Sequence, residues 1–357
     1  MSEQQLKQHR DAIDRIDIEI LHLLNQRAQH AREIGEIKGG GIIYRPEREA
    51  QVLRRIKEQN PGPLPGESVA RLFREIMSEC LALEKPLSIA YLGPEGTFSQ
   101  LATLKHFGHA ARTVACSSID EAFRLVEARA LDYVVAPVEN STEGAVGRTL
   151  DLMVSTPLKV CGEVVLRIHH HLLRNSAGID GIRRVYAHAQ ALAQCHEWLN
   201  KNLPADVERV SVASNAEAAR LAAEDGSCAA IAGQAAAERF NLLKLAENIE
   251  DEPNNTTRFL VLGHQDVGQT GQDKTSLIVS APNRPGAVHY LLAPIADNGV
   301  SMTKFESRPS RAGLWDYVFF IDVEGHHDDP NVARALQGLM ERTSFVKVLG
   351  AYPQAVL

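Results

Sequence analysis

Two basic residues stand where a helix ought to be apolar. From Gln4 to Lys38 only Gly35 interrupts a run free of proline and glycine, and Ile13, Ile16, Ile20, Leu23, Leu24, Ala31 and Ile34 recur at three- and four-residue steps, the signature of one helical face. With about 100° between successive residues, Arg27 and Lys38 fall inside that arc and Arg10 near its edge. Buried cations there must meet internal carboxylates or an anionic ligand. A second candidate for chemistry is NNTTRFLVLG, residues 254 to 263, which sets Thr256, Thr257 and Arg258 directly against the apolar run Phe259-Leu260-Val261-Leu262.

The elements that must hold these groups read as three regions. At 1.5 Å per residue the first helix runs roughly 50 Å, more than a lone small domain covers, so its stripe requires a partner chain and an intertwined dimer. Pro46 opens a second helix, PEREAQVLRRIKEQ, with Val52, Leu53 and Ile56 on its face. After NPGPLPGES a third helix places Val69, Leu72, Phe73, Ile76, Cys80 and Leu83 on one side. Packed together, the helices gather Arg10, Arg27, Lys38, Arg48, Glu49, Cys80 and Glu84 in one pocket.

From LSIAYLG onward, short apolar strands alternate with helical stretches, the pattern of an α/β fold with largely parallel sheets. Thr97-Phe98-Ser99, Glu139-Asn140-Ser141, His188-Ala189-Gln190 and Thr256-Thr257-Arg258 all fall at strand ends, where ligands bind in open α/β sheets. The polar stretch GHQDVGQTGQDKT then leads into a last region. It reads as strand (276 to 280), helix (286 to 298), two strands (301 to 306 and 317 to 323), helix (330 to 342) and strand (345 to 349), the βαββαβ ferredoxin-like plan. The expected domains are 1–86, 87–265 and 274–357.

Composition narrows the function classes. The chain has 357 residues, 23% of them charged, and a formal net charge of −7, with no basic block to suit a phosphate backbone, so no nucleic-acid partner is expected. No apolar run reaches the roughly 18 residues of a membrane span, and the default location is the cytoplasm. The five cysteines are widely spaced and read as reduced thiols. His169, His170 and His171 suggest a metal, but neighbouring histidines on a strand face opposite ways and no Cys, Asp or Glu lies at ligand spacing. His326-His327-Asp328-Asp329 reads as a polar turn. No metal or other cofactor is expected.

The helical residues resemble the all-α chorismate mutase family, in which a long helix and two shorter ones form an intertwined dimer. That resemblance implies a Claisen rearrangement of chorismate to prephenate. It implies Arg10 reaching in from a partner subunit, Arg27 and Arg48 on substrate carboxylates, Glu49 on the hydroxyl, and Lys38 with Glu84 at the ether oxygen. Glu84 stands where some members carry glutamine, so it would need a proton in order to donate. Cys80 stands where a serine is often found.

The run from Phe240 through Leu242, Leu245 and Asp251 to Thr257-Arg258-Phe259 resembles the prephenate dehydratase signature, in a two-lobed α/β fold like the type II solute-binding proteins. It implies loss of water and carbon dioxide from prephenate to give phenylpyruvate. Thr257 would relay a proton to the leaving hydroxyl, with Glu139 as a rival source, Arg258 and Phe259 fixing the site, Asn140, Ser141 and Gln194 in the cleft, and Thr97 and Ser99 near a carboxylate. The family's usual serine is replaced by Ala187. Gly286-Ala287-Val288 and Glu306-Ser307-Arg308-Pro309 resemble the phenylalanine-responsive ACT domain and imply L-phenylalanine as effector, bound where two chains pair. The expected assembly is a homodimer or a dimer of dimers. The alternatives are an arogenate dehydratase with a structural helical part, and a non-catalytic amino-acid sensor.

Overall fold

The computed structural model describes residues 3–39, 41–281, 284–309, 317–343 and 345–357. Three helices come first: α1 (Glu3–Lys38), α2 (Pro46–Gln59) and α3 (Gly66–Ala82). Within one chain α1 buries no residue, and Ile13, Ile16 and Leu23 are each more than half exposed, so the apolar arc is present but has nothing against it. The third helix departs from the expected face. Cys80 is buried as expected, but Leu72 and Leu83 are exposed while Ala70, Arg74 and Ser78 are buried, because α3 packs sideways onto the next domain. Arg74 donates there to the carbonyl oxygens of Lys105 and His106.

That domain has two lobes. The first runs through β1 (Ser88–Leu92), α4 (Phe98–Phe107), β2 (Arg112–Cys116), α5 (Ile119–Glu127), β3 (Tyr133–Asn140), β4 (Gly144–Ala145), α6 (Gly147–Ser155) and β5 (Lys159–Arg167). Residues 168–170 cross to the second lobe, made of β6 (His171–Arg174), β7 (Arg184–Ala187), α7 (Ala189–Gln194), α8 (His196–Asn202), β8 (Glu208–Ser211), α9 (Asn215–Glu224), β9 (Cys228–Ala232), α10 (Gln234–Arg239) and β10 (Leu243–Ala246). The chain then returns through residues 247–255 to β11 (Thr256–Gly263), which rejoins the first lobe. The sheet orders are β2-β1-β3-β11-β5, with β4 on β3, and β10-β6-β9-β7-β8.

The expectation of largely parallel sheets needs correction. β1, β2 and β3 are parallel, but β11 is antiparallel to both β3 and β5. The cause is the second crossover, which brings the chain back into the sheet from the opposite end.

The last domain has β12 (Asp273–Ala281), α11 (Ala287–Asp297), β13 (Met302–Pro309), β14 (Tyr317–Glu324), α12 (Pro330–Arg342) and β15 (Val346–Pro353), with sheet order β13-β14-β12-β15. This is the βαββαβ plan. One face of its sheet carries α11 and α12; Ile278, Phe320, Leu349 and Tyr352 on the other share a single core with Val160, Leu260 and Leu262 of the first lobe. Gly350 permits this docking, because a Cβ there would strike the backbone of Val160. The stretch before β12 is held down as well: Gln265 accepts from the Tyr133 hydroxyl and donates to the carbonyl of Tyr44. His326 Nε2 meets the carbonyl of Val267 and its Nδ1 accepts from the Asp328 amide, which makes the histidine turn an anchor.

Candidate active sites

The helices enclose a cavity of about 350 Å³ lined by Arg27, Lys38, Arg48, Glu49, Cys80 and Glu84 together with Tyr44. Arg10 does not reach it, lying on α1 almost five turns before Arg27, roughly 25 Å along the axis. Lys38 is solvent-exposed in the single chain, as is Arg10, which corrects their expected burial, and Arg48 is exposed as well; α1 covers the cavity from one side only.

Two features fix the walls. A Cβ on Gly35 would lie 2.6 Å from Cγ of Glu84, so the glycine that interrupts α1 lets Glu84 pack against the helix backbone. Oε1 of Glu84 is buried without a hydrogen-bond partner, a polar atom left for a ligand. Opposite, Glu49 lies 3.1 Å from Nε of Arg74, and burial raises its pKa more than Arg74 lowers it.

The second site lies between the two α/β lobes, in a cleft of about 940 Å³ lined by Thr97, Ser99, Asn140, Gln194 and Thr257, as well as His170 and Glu143. It sits at the far end of β3 from the helical cavity: Tyr133, whose ring packs on Tyr44, and Asn140 are separated by roughly 23 Å of extended chain. Among the described residues the cleft lining contains no lysine or arginine. Helix N-termini supply its positive end instead. Thr97, Ser118, His188 and Ser214 are the N-cap residues of α4, α5, α7 and α9, and the unpaired first-turn amides of such helices favour carboxylates.

Four of the residues assigned to this site from sequence lie off the cleft lining. β3 and β11 pair with Asn140 opposite Thr257 and Glu139 opposite Arg258, so the first pair faces the cleft and the second faces away. Glu139 lies 2.8 Å from Lys304 Nζ. Arg258 donates to Glu163 (2.8 Å), Asp322 (2.5 Å) and the Tyr352 hydroxyl (2.8 Å); burial opposes its charge, but Tyr352, Asp322 and Glu163 outweigh it and hold the pKa above the ordinary arginine value. Phe259 is a buried core residue. Ser141 is also off the cleft lining, its hydroxyl accepting from the Thr256 amide at 2.9 Å.

The hydroxyl of Thr257 is set up in one sense. Asn140 Oδ1 accepts from the amides of Thr142 and Glu143, both at 3.0 Å, which turns its NH2 toward Thr257 Oγ1 at 2.9 Å. Because Oγ1 accepts that bond, its own proton is left to donate into the cleft. Thr97 is more constrained: its oxygen caps α4 and donates to the carbonyl of Pro94.

Comparisons with known proteins identify the three regions. Residues 9–85 match the chorismate mutase type II family model, residues 89–267 prephenate dehydratase, and residues 275–339 the ACT domain. A bifunctional chorismate mutase/prephenate dehydratase of Neisseria gonorrhoeae is 66% identical over 98% of this chain and 97% of its own. The chain belongs to that family. A relative of the same description from Aquifex aeolicus is 46% identical over 99% of both chains. Among solved structures, a prephenate dehydratase from Arthrobacter aurescens in complex with L-Phe is 34% identical, covers 75% of this chain and 90% of its own, and superposes with a TM-score of 0.69.

In the ACT region, Gly286 adopts φ 76° ahead of α11, leaving the first-turn amides of Ala287 and Val288 at a helix N-terminus. Ser307 and Pro309 are exposed on β13. Arg308 requires correction as an effector ligand, since it donates to Asp151 of the first lobe at 2.9 Å. It shares its face of β13 with Lys304 and Glu306.

The sequence reading missed His170, Glu143 and the role of Arg74. A histidine beside two others signals metal or nothing when only strand alternation is considered. Residues 168–170 are in fact a crossover, and that bend turns His170 into the cleft.

Proposed function

We propose that the chain performs two successive reactions at two separate sites: rearrangement of chorismate to prephenate in the helical cavity, and decarboxylative dehydration of prephenate to phenylpyruvate in the cleft, with L-phenylalanine as inhibitor. The observation that carries the reading is the Thr257 hydroxyl, which lines the cleft and accepts from Asn140, an arrangement that leaves its own proton to donate. Balance requires one proton. As the ring carboxylate leaves as carbon dioxide, its bonding electrons enter the ring and expel the ring hydroxyl, which departs as water once Thr257 delivers a proton that solvent replaces. Glu143, a carboxylate in the lining that meets Gln194 Nε2 at 3.4 Å, takes the place of Glu139 as the rival proton source.

In the helical cavity no group need bond covalently to substrate. Arg27 and Arg48 suit carboxylates by bidentate pairing, and Lys38, with Glu84 in the same lining, would donate to the ether oxygen as its bond breaks. The exposed stripe of α1 supports an intertwined dimer in which a second chain covers it and returns Arg10 to the cavity. The effector reading rests on the first turn of α11 and the edge strand β13. The proposed domain limits are 1–86, 87–265 and 274–357, in the cytoplasm; among the described residues no helix is long and apolar enough to cross a membrane.

The test is incubation of purified protein with chorismate, following chorismate loss and phenylpyruvate formation separately. Phenylpyruvate formation suppressed by L-phenylalanine is expected. Chorismate consumption that stops at prephenate would overturn the cleft reading, and L-phenylalanine binding without any turnover would favour a sensor.

A further inference from the structure

His170 is 2% exposed, lies in the first crossover between the lobes and lines the cleft, yet the chemistry above does not use it. Its Nε2 sits 3.0 Å from Oε1 of Gln194, and its Nδ1 is buried with no partner. The backbone amide of His170 donates to Glu250 at 2.9 Å, and the Phe98 ring meets the imidazole edge to face at 5.6 Å. The ring is therefore fixed in place.

We propose that His170 is a positioning residue of the dehydratase cleft: its Nε2–H holds the orientation of Gln194 and closes, through Asn255, the chain of amides that begins at Asn140 beside Thr257. This inference rests on the reading of Thr257 as proton donor. Its basis is a chain in which each amide orientation depends on the next. Asn140 Nδ2, already turned outward by the amides of Thr142 and Glu143, donates both to Thr257 Oγ1 and to Asn255 Oδ1 at 2.8 Å. Asn255, 1% exposed, must then present its own NH2 to Gln194 Oε1 at 3.0 Å. Gln194 Nε2 in turn faces Thr142 Oγ1 at 3.2 Å. An imidazole meeting Gln194 Oε1 can only donate, which selects the Nε2–H tautomer.

The chain also joins the parts that must be aligned for the cleft to work. Asn140 and Thr257 belong to the first lobe, Gln194 to the second, and His170 and Asn255 to the two crossovers. Had His170 offered a lone pair at Nε2, Gln194 would rotate its amide and bring two NH2 groups face to face at Asn255. Burial holds the imidazole pKa below its ordinary value, and the neutral ring it favours is the form the chain requires.

The test compares His170→Leu, which removes the donor, with His170→Gln, which restores an N–H at similar reach, measuring kcat and KM for prephenate and the mutase rate of each sample. His170→Leu is expected to lower dehydratase kcat about 10- to 100-fold with little change in KM or mutase rate, and His170→Gln to recover most of the loss. A kcat for His170→Leu within about twofold of the parent, well short of that misalignment penalty, or a His170→Gln variant no better than His170→Leu, would overturn it. If His170→Leu does not fold, as its mutase rate reveals, His170→Asn replaces it, because its shorter amide cannot reach Gln194. Thr257→Val is assayed alongside. Loss of dehydration there with an unaffected His170→Leu overturns the His170 role and spares the donor; an active Thr257→Val overturns the donor, and the His170 contrast then supports a role limited to Gln194.

Discussion

Arg258 of the dehydratase domain donates to Asp322 of the ACT domain at 2.5 Å, although the residue before it, Thr257, lines the cleft on the other side of the same sheet. The guanidinium is also bonded to Glu163 and Tyr352, and Lys274 reaches Glu163 at 2.9 Å. Removing one member of a buried ion network leaves its partners uncompensated. Arg258→Met is expected to destabilise the protein by about 3–5 kcal/mol, measured by urea unfolding. A midpoint equal to that of the parent would contradict the network's structural role.

A second bond runs parallel to the first. Glu139 meets Lys304, which lies on the same β13 strand as the proposed effector residues, while its neighbour Asn140 holds Thr257. Lys304→Met is expected to preserve L-phenylalanine binding but raise the concentration needed for half-inhibition several-fold, as steady-state dehydratase assays with calorimetry would show. Coupling requires that the effector bias a shared element between two states. Unchanged inhibition would show that the signal takes another route.

Much of this was legible in the sequence where local patterning dominates. The apolar period of α1, Pro46 at the start of α2 and the alternation of the last domain each declare their element. The cleft residues Asn140, Gln194 and Thr257 were legible through family motifs. The direction in which Glu139, Arg258 and Arg308 point was not, because strand alternation leaves two faces equivalent until it is known what covers each. Here the ACT sheet covers the second face and supplies Lys304 and Asp322. Arg74 was hidden for a similar reason: on α3 it occupies a position with no periodic signal, and its partners, Glu49 of α2 and the carbonyls of Lys105 and His106 on α4, come from other elements.

Gly35 offers a test of the helical cavity alone. Gly35→Ala would drive a methyl into Glu84, and because Glu84 faces the cavity the mutase rate should fall by about 10-fold or more while prephenate dehydration is unchanged. Separate assays starting from chorismate and from prephenate distinguish the two. Equal loss of both activities would indicate general destabilisation.

Acid stability should reflect His106. Burial first, then Arg74, lowers its pKa well below the ordinary histidine value, and its Nε2 lies 2.9 Å from the Tyr44 hydroxyl. Below about pH 6.5 the unfolded chain takes up a proton that the folded ring refuses, so stability present above that pH is lost as pH falls. His106→Gln should make thermal stability less sensitive to pH between about 6.5 and 5; an equally steep decline in the variant would assign the effect elsewhere.

The most direct test of the account is Thr257→Val, supplied with chorismate. If the Thr257 hydroxyl delivers the proton, chorismate is consumed at the parent rate and prephenate accumulates, with dehydration slowed about 10²- to 10⁴-fold. Phenylpyruvate forming from chorismate at the parent rate would contradict it.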